Sequence, residues 1–226
     1  MELRSPLVFF TGAGVSVGAG LPTYRGAAGI YTNSDLEPPH ARDLDRLPQL
    51  WERLGPRLAT ADVMQPAIAH RVIAELEQDF EVIVITQNVD GLHQAAGSTR
   101  VYELHGSLRS VSCLACGLDQ PTDGLTWAEG VPECRSCAGP CRPGVVLFGE
   151  GLPADTWESA ALAAASAGTL IGVGTSGIVY PAASLLDPQF QPTAERLWVN
   201  PETAPPFAQY EWWQGSADDM LPRLLA

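Results

Sequence analysis

The sequence predicts an α/β fold, a parallel sheet carrying a small inserted metal-binding module, and three observations predict it. The run Phe80-Glu81-Val82-Ile83-Val84-Ile85 is apolar and β-branched, as a buried parallel strand requires, and passes straight into the polar string Thr86-Gln87-Asn88-Val89-Asp90-Gly91-Leu92-His93. The apolar start Leu7-Val8-Phe9-Phe10 runs into a glycine-rich turn, Thr11 to Gly20. Four cysteines fall as Cys113-x-x-Cys116 and Cys134-x-x-Cys137, with 17 residues between the pairs.

Along the chain, Leu7 to Phe10 reads as the first strand. The turn after it, with Gly12, Gly14 and Gly18, reads as an anion cradle entering a helix, because glycines admit a close backbone and a helix start offers free N–H groups. A plain strand-helix packing turn is the alternative. Residues 32–60, rich in Pro and Asp and poor in long apolar periodicity, read as a short insert. Pro66 to Glu77 places Ile68, Val72, Ile73 and Leu76 at helical spacing, a crossover helix ahead of the Val82 to Ile85 strand. Tyr102-Glu103-Leu104-His105-Gly106 is a second strand-like approach, to a lone histidine. Ala160 to Ala167 reads as a helix, followed by the strand Thr169 to Val173 and the turn Gly174-Thr175-Ser176-Gly177. Arg196 to Val199 is the last strand and ends at Asn200-Pro201-Glu202. Ligands of open α/β sheets bind beyond the carboxyl ends of the strands, and four strand ends here carry ligand-type chemistry.

Composition bounds the function. With 226 residues, 46% hydrophobic, the chain suits one compact unit with a small insert. The longest apolar stretches, such as Ala160 to Val173, contain Ser and Gly and fall short of the ~20 residues a bilayer needs. The N-terminus shows no signal-peptide pattern, so the expected location is cytoplasmic. A net charge of −13 argues against nucleic acid and anionic lipid as partners and favours a cationic one. All 13 bases are arginine, which we read as compositional bias, avoidance of self-modification at lysine being the other reading.

The cysteine quartet has zinc-ribbon spacing. Each Cys-x-x-Cys turn presents two thiolates to one ion, and four thiolates leave no open position, so the metal is structural; disulfides would need an oxidising compartment. Cys141 is taken as a small buried hydrophobe, with a substitute ligand as the alternative.

Together the pieces resemble the sirtuin family of NAD-dependent protein deacylases, from about Val8 to Ala217. The strings that carry the resemblance are Gly12-Ala13-Gly14-Val15-Ser16, Gly20-Leu21-Pro22-Thr23-Tyr24-Arg25-Gly26, Thr86-Gln87-Asn88-Val89-Asp90 and Leu104-His105-Gly106. After the cysteines follow Arg142 to Glu150, Gly174-Thr175-Ser176 and Val199-Asn200-Pro201-Glu202. The resemblance implies a Rossmann-like parallel sheet with helices on both faces plus a small inserted zinc-binding domain. The sheet domain would comprise residues 1–31, 61–109 and 146–226, and the small domain 32–60 and 110–145. NAD would be consumed: an acyl-lysine oxygen attacks the ribose carbon bearing nicotinamide, and water then yields free lysine and O-acyl-ADP-ribose.

By the same resemblance, His105 would be the general base on a ribose hydroxyl, Asn88 would orient the ribose and a water, and Asp90 would bind the nicotinamide carboxamide. Gln87 would contact a ribose hydroxyl. Gly12, Ala13, Gly14, Ser16, Thr23, Tyr24, Arg25, Gly174, Thr175 and Ser176 would line the cofactor, Asn200 and Glu202 the adenine ribose, and Ala217 the far end. Val145, Val146, Phe148, Gly149 and Glu150 would pair with the substrate peptide by β-augmentation. The partners are acyl-lysine proteins or peptides, and the chain is expected to be a monomer.

The bland readings are that Asn88 and Asp90 cap a helix and that His105 is structural; His93 is assigned to a helix start with a local hydrogen bond. Two departures from the family pattern bear on specificity. Tyr24 stands where the family usually has phenylalanine. The resemblance is nearest to a bacterial, desuccinylase-like branch through Gly174 to Pro181, yet that branch's Tyr-x-x-Arg pair is missing from Leu50-Trp51-Glu52-Arg53-Leu54-Gly55-Pro56-Arg57. Acetyl is therefore the default acyl group, with Arg53 or Arg57 as the residual sources of a guanidinium and Trp51 as a wall for a plain acyl chain. A mono-ADP-ribosyltransferase and a non-catalytic NAD-binding regulator are the other function classes; a dehydrogenase fails for want of an acidic strand end about 20 residues after the glycines.

Overall fold

The computed structural model describes residues 2–24, 29, 37–123, 125 and 130–225, with residues 57–62 described by their backbone alone. Six strands form one all-parallel sheet: β1 (Leu7–Thr11), β2 (Val82–Thr86), β3 (Val101–Glu103), β7 (Thr169–Val173), β8 (Glu195–Val199) and β9 (Glu211–Trp213), in the order β3-β2-β1-β7-β8-β9. Counted within the sheet alone this is the doubly wound order 3-2-1-4-5-6, whose direction of winding reverses between β1 and β7. The carboxyl ends of those two strands, Thr11 beside Val173, therefore flank the crevice where a ligand is expected.

β1, β2 and β7 are buried at every residue. Successive side chains alternate between faces, and both faces are covered, which is why these strands read as unbroken apolar runs. Val8, Phe10, Ile83, Ile85, Leu170 and Trp198 pack with the alanines of α4 (Ala154–Ala165) on one face. Leu7, Phe9, Val82, Val84, Ile171 and Val173 pack with α2 (Ile68–Glu75) and α5 (Ala217–Met220) on the other.

A second, antiparallel sheet of β4 (Gly106–Cys113), β5 (Asp119–Pro121) and β6 (Cys141–Val145), ordered β5-β4-β6, carries the cysteines. Against it packs α1 (Leu47–Val63), a helix the sequence reading did not assign. Its buried face is Leu47, Leu50, Trp51 and Leu54, the i, i+3, i+4, i+7 spacing of an amphipathic helix. Two prolines obscured the pattern: Pro48 sits in the first turn, where no N–H is needed, and Pro56 lies in the interior. Trp51 points into this small core and donates Nε1–H to the Cys141 carbonyl at 2.8 Å, so it is not a wall of an acyl tunnel.

Three further expectations are corrected. The glycine turn enters not an α-helix but a seven-residue 3-10 helix, Ala13–Ala19, closed by Gly20 at φ +90°. Ile68 is exposed, the buried face of α2 being Ala69, His70, Val72 and Ile73. The helix expected at Ala160 begins at Ala154. Among the described residues no helix is long and apolar enough to cross a membrane.

Candidate functional site

The ends of β1 and β7 interlock. A Cβ on Gly14 would stand 2.6 Å from Gly174 Cα and one on Gly12 2.9 Å from Thr175 Cβ, and Gly14 N–H bonds the Gly174 carbonyl at 2.8 Å. Close packing thus accounts for these glycines, as the packing-turn alternative held. The anion-binding potential lies in the amides between them: among the described residues the backbone N–H groups of Ala13, Thr175 and Ser176 make no hydrogen bond. Three open donors at adjoining strand ends are equipped to receive an anion. Asn200, buried at the end of β8, donates Nδ2 to the Thr175 carbonyl at 2.8 Å and accepts from Glu202 and Thr203 N–H, so its side chain shapes the turn that holds this rim. Glu202 is exposed. Ala217 turns its side chain into the core under the sheet.

The end of β2 feeds a buried polar network centred on Ser16, which is 1% exposed. Ser16 Oγ donates to Asp90 Oδ2 at 2.8 Å and accepts from Asn88 Nδ2 at 3.1 Å. His70 Nε2 lies 3.4 Å from the same hydroxyl. His70 Nδ1 accepts the Ala67 N–H at 3.2 Å, which places the ring proton on Nε2 and makes that nitrogen the donor to Ser16. Asp90 Oδ1 also accepts the Leu92 N–H at 3.0 Å, capping α3 (Leu92–Ala96), so the bland reading describes one of its two oxygens. Asn88 holds the Gly12 carbonyl at 3.2 Å, and Gln87 Nε2 reaches Thr175 Oγ1 at 2.9 Å, tying β2 to β1 and β7.

Sequence reasoning missed four members of this network: Thr11, Thr86, His70 and His93. Thr11 Oγ1 donates to Thr86 Oγ1 at 2.8 Å and lies 3.0 Å from His93 Nε2. His93 therefore bonds across 82 residues rather than locally, is 1% exposed, and leaves Nδ1 without a partner among the described residues. Its ring meets His70 edge-on at 4.7 Å. Burial pushes the pKa of both imidazoles down, His93 well below its ordinary 6.5, so both are neutral at neutral pH. Their signal in the sequence was scarcity, since the chain holds four histidines in all.

His105 sits in the tight turn between β3 and β4, pinned by Leu104 N–H on the Thr86 carbonyl at 2.9 Å. Its Nδ1 lies 2.9 Å from the Gln87 carbonyl. A carbonyl only accepts, so Nδ1 carries the proton and Nε2 presents a lone pair. Burial lowers the pKa, and the Gln87 bond opposes but does not cancel that effect. A neutral imidazole with one free basic nitrogen is equipped to take up a proton.

The segment after β6 is pinned from beneath. Arg142 pairs with Glu150, Nη2 to Oε2 at 2.8 Å, and Glu150 Oε2 also accepts the Leu147 N–H at 2.7 Å. Burial raises the Glu150 pKa, but the guanidinium and the amide outweigh it and hold the carboxyl below its usual range. Its carboxylate is thus engaged within the segment. Phe148 bonds with both main-chain groups to Pro39 and Ala41, and Val146 N–H goes to the His105 carbonyl at 2.8 Å. Among the described residues the N–H and C=O of Gly149 stay open. Val145 is buried; Phe148 and Gly149 are exposed. Thr23 is half-buried and Tyr24 exposed, while Arg25 lies outside the described residues.

The sulfurs of Cys113, Cys116, Cys134 and Cys137 all lie within 4.8 Å of one another. Zinc thiolate bonds of about 2.3 Å in a tetrahedron set sulfurs about 3.8 Å apart. The pairs Cys116–Cys134 at 3.8 Å and Cys113–Cys137 at 3.5 Å fit that figure. Backbone N–H groups of Ala115 and Cys116 point at Cys113 Sγ, and that of Ser136 at Cys134 Sγ, all at 3.4 Å, as donors to thiolates do. Cys116 and Ala115 amides help hold the Cys113 thiol down to about 6. Cys141 is fully buried beside Gln120, with its carbonyl on Trp51, as a small hydrophobe should be.

Comparison with known proteins agrees with this geometry. The Sir2 family model matches residues 12–181. An NAD-dependent protein deacylase of Aquifex aeolicus is 41% identical over 204 residues, covering 88% of this chain and 84% of its own. An NAD-dependent protein deacetylase of Cutibacterium acnes is 42% identical over 194 residues, covering 82% and 79%. Among solved structures, a Sir2 homologue bound to NAD superposes with a TM-score of 0.86 at 37% identity, covering 97% of this chain and 87% of that one. A Sir2 protein holding a deacetylated p53 peptide and 3'-O-acetyl ADP-ribose superposes at 0.85 with 30% identity, covering 97% and 92%. With its sheet order, its cysteine cluster and these likenesses in agreement, the chain belongs to the Sir2 family, the sirtuins.

Proposed function

We propose that this sirtuin is an NAD-dependent protein lysine deacylase acting on acyl-lysine peptides, as its deacylase and deacetylase relatives suggest. The observation that carries the reading is His105, neutral, with Nδ1–H held by the Gln87 carbonyl and Nε2 without a partner among the described residues. Bound NAD supplies the ribose carbon and the nicotinamide leaving group. His105 Nε2 would take the proton of a ribose hydroxyl, whose oxygen would in turn take the proton of the adjacent hydroxyl and leave that second oxygen as the nucleophile. Asn88 orients that ribose, Asp90 accepts the carboxamide N–H of nicotinamide, and Ser16 holds both side chains in place. Ala13, Thr175 and Ser176 amides receive the diphosphate, and Gly149 offers its N–H and C=O to the peptide main chain.

The division into a sheet domain (1–31, 61–109, 146–226) and a small domain (32–60, 110–145), zinc as a structural ion, and a cytoplasmic monomer complete the reading. For the acyl group the reading is acetyl. On α1, Glu52 is exposed and so merely solvated, and Arg53 is already engaged, its Nη1 3.5 Å from Asp43 and its Nη2 on the Glu37 carbonyl, so it offers succinate no free cation; the Arg57 side chain lies outside the described residues. The desuccinylase-like branch is thus approached in sequence, through Gly174 to Pro181, without its acyl-gripping pair.

The test incubates the protein with NAD and matched acetyl-lysine and succinyl-lysine peptides, following lysine and nicotinamide by mass spectrometry beside His105→Tyr. Lysine release that matches nicotinamide one for one and disappears in the variant is expected. Nicotinamide release without deacylation, or ADP-ribose on protein, would overturn the reading in favour of a transferase.

A further inference from the structure

The small sheet sets a fifth cysteine against one of the four. Cys141 of β6 stands directly opposite Cys113 of β4, so the two side chains leave the same face of the sheet. Both are buried in the core that includes Leu50, Leu54 and Val111. The hydrogen bonds identify the kind of pair. Leu114 N–H bonds the Pro140 carbonyl at 3.0 Å, whereas the N–H groups of Cys113 and Cys141 turn outward, to the carbonyls of Leu118 at 2.9 Å and Pro132 at 2.8 Å. Cys113 and Cys141 therefore occupy a position without mutual hydrogen bonds, the narrow kind, whose Cα atoms lie about 4.5 Å apart. A disulfide spans Cα atoms about 4.4–6.8 Å apart, so the strand ladder itself holds the two thiols within bonding reach.

Two partners thus compete for Cys113, the zinc quartet and Cys141, and they are held in place differently. Cys137, whose sulfur is 3.5 Å from that of Cys113, sits in a turn where Ala138 takes a left-handed φ of +57°, unfavourable for a residue with a Cβ, so this turn relaxes once the ion is lost. Cys141 is held without the ion: β6 pairs with β4, and the Cys141 carbonyl accepts Trp51 Nε1–H at 2.8 Å. We propose that Cys113 and Cys141 form a redox latch on the metal module, joining as a cross-strand disulfide when zinc is lost in the presence of a peroxide and withholding Cys113 from the ion until that bond is reduced. The inference rests on zinc as the ion of the quartet. The oxidant enters at Cys137, which is exposed. Its sulfur takes one oxygen of hydrogen peroxide, giving a sulfenic acid and water. Cys113 Sγ attacks that sulfur, forming the Cys113–Cys137 bond and releasing a second water. Cys141 Sγ then attacks Cys113 Sγ, and its proton passes to the departing Cys137 sulfur. Two thiols thereby lose two hydrogens, the peroxide becomes two waters, and Cys137 is regenerated.

The test takes the full chain, measures its zinc by metal analysis, and treats it with hydrogen peroxide and a chelator below the Tm of the metal-free form, beside Cys141→Ala. Remaining thiols are blocked in one portion and the disulfides mapped by mass spectrometry. In the native protein most of Cys113 is expected joined to Cys141, a result that needs no variant. The other portion is freed of oxidant and chelator and given zinc with glutathione, and the return of zinc is followed in time. A buried disulfide is reduced slowly, whereas in Cys141→Ala the bond of Cys113 ends on exposed Cys137, so zinc returns to the variant about tenfold faster. Equal zinc in the two proteins before treatment shows that the variant's module is intact. Cys113 found free, or joined mainly to Cys137 or Cys116, in the native protein overturns the latch alone, as do equal rates of zinc return. A native protein that carries no zinc before treatment overturns the zinc assignment and the proposal with it.

Discussion

Replacing Ser16 by alanine removes the hydroxyl on which Asp90, Asn88 and His70 converge. Asn88 Nδ2 keeps the Gly12 carbonyl, but Asp90 Oδ2 and His70 Nε2 lose the partners described above, in a site where Asp90 is 7% exposed and His70 fully buried. A buried polar group left unpaired costs about 1–3 kcal/mol, so two of them cost roughly 2–6 kcal/mol. In a chain of this size each kcal/mol lowers Tm by about 2–4 °C, which puts the expected fall near 10 °C. Tryptophan fluorescence melts of native, Ser16→Ala, Asp90→Asn and the double variant measure it. Most of the penalty comes from the orphaned carboxylate, and an amide in its place is cheaper to leave unpaired. The double variant should therefore be more stable than the sum of the single losses by at least about 1 kcal/mol. A Tm loss under 2 °C, or additivity within about 0.5 kcal/mol, would refute the picture of a shared hub.

Chelation or Cys134→Ser should remove bound zinc, measured by metal analysis, and lower Tm, because Cys113 and Cys134 are part of the small core with Leu54 and Val111; activity is lost as a consequence. A metal-free protein with native Tm and activity would contradict this. The rate profile should rise with pH through an apparent pKa below 6.5 and be flat by neutrality, since burial depresses His105 and the neutral form is the active one; His105→Asn should abolish lysine release. An apparent pKa above 6.5 from kcat/KM would count against that role. Folding stability should be level above about pH 6.5 and decline below it, because unfolded His70 and His93 bind protons there while the buried rings resist. Denaturant midpoints at pH 5.5 and 7.5 test the sign, and His93→Gln should reduce the slope.

Much of the sheet was legible because burial on both faces writes itself locally: Leu7 to Phe10, Val82 to Ile85 and Thr169 to Val173 are apolar at every position, and each became a strand within a residue or so. The cysteine pairs were legible for the same reason, two residues being the span of one metal-binding turn. Helix α1 was not, because its apolar stripe is interrupted by prolines whose tolerance depends on where the turn begins. Glycines 12 and 14 were seen, and a packing turn was one of the two readings, but what they pack against was not legible, since the atoms they avoid belong to Gly174 and Thr175.

The sequence by itself determined which short stretches become strands, the nature of the metal module, and the residue types at the strand ends, because periodicity and turn chemistry act over a few residues. Only the tertiary structure decided that His93 meets Thr11, that Trp51 serves the zinc-side core, that Glu150 is held by Arg142, and that His40 lies on Gly149. Those are contacts between groups far apart in the chain or directions of a ring within a turn. They follow from strand order and loop closure, which no local pattern encodes.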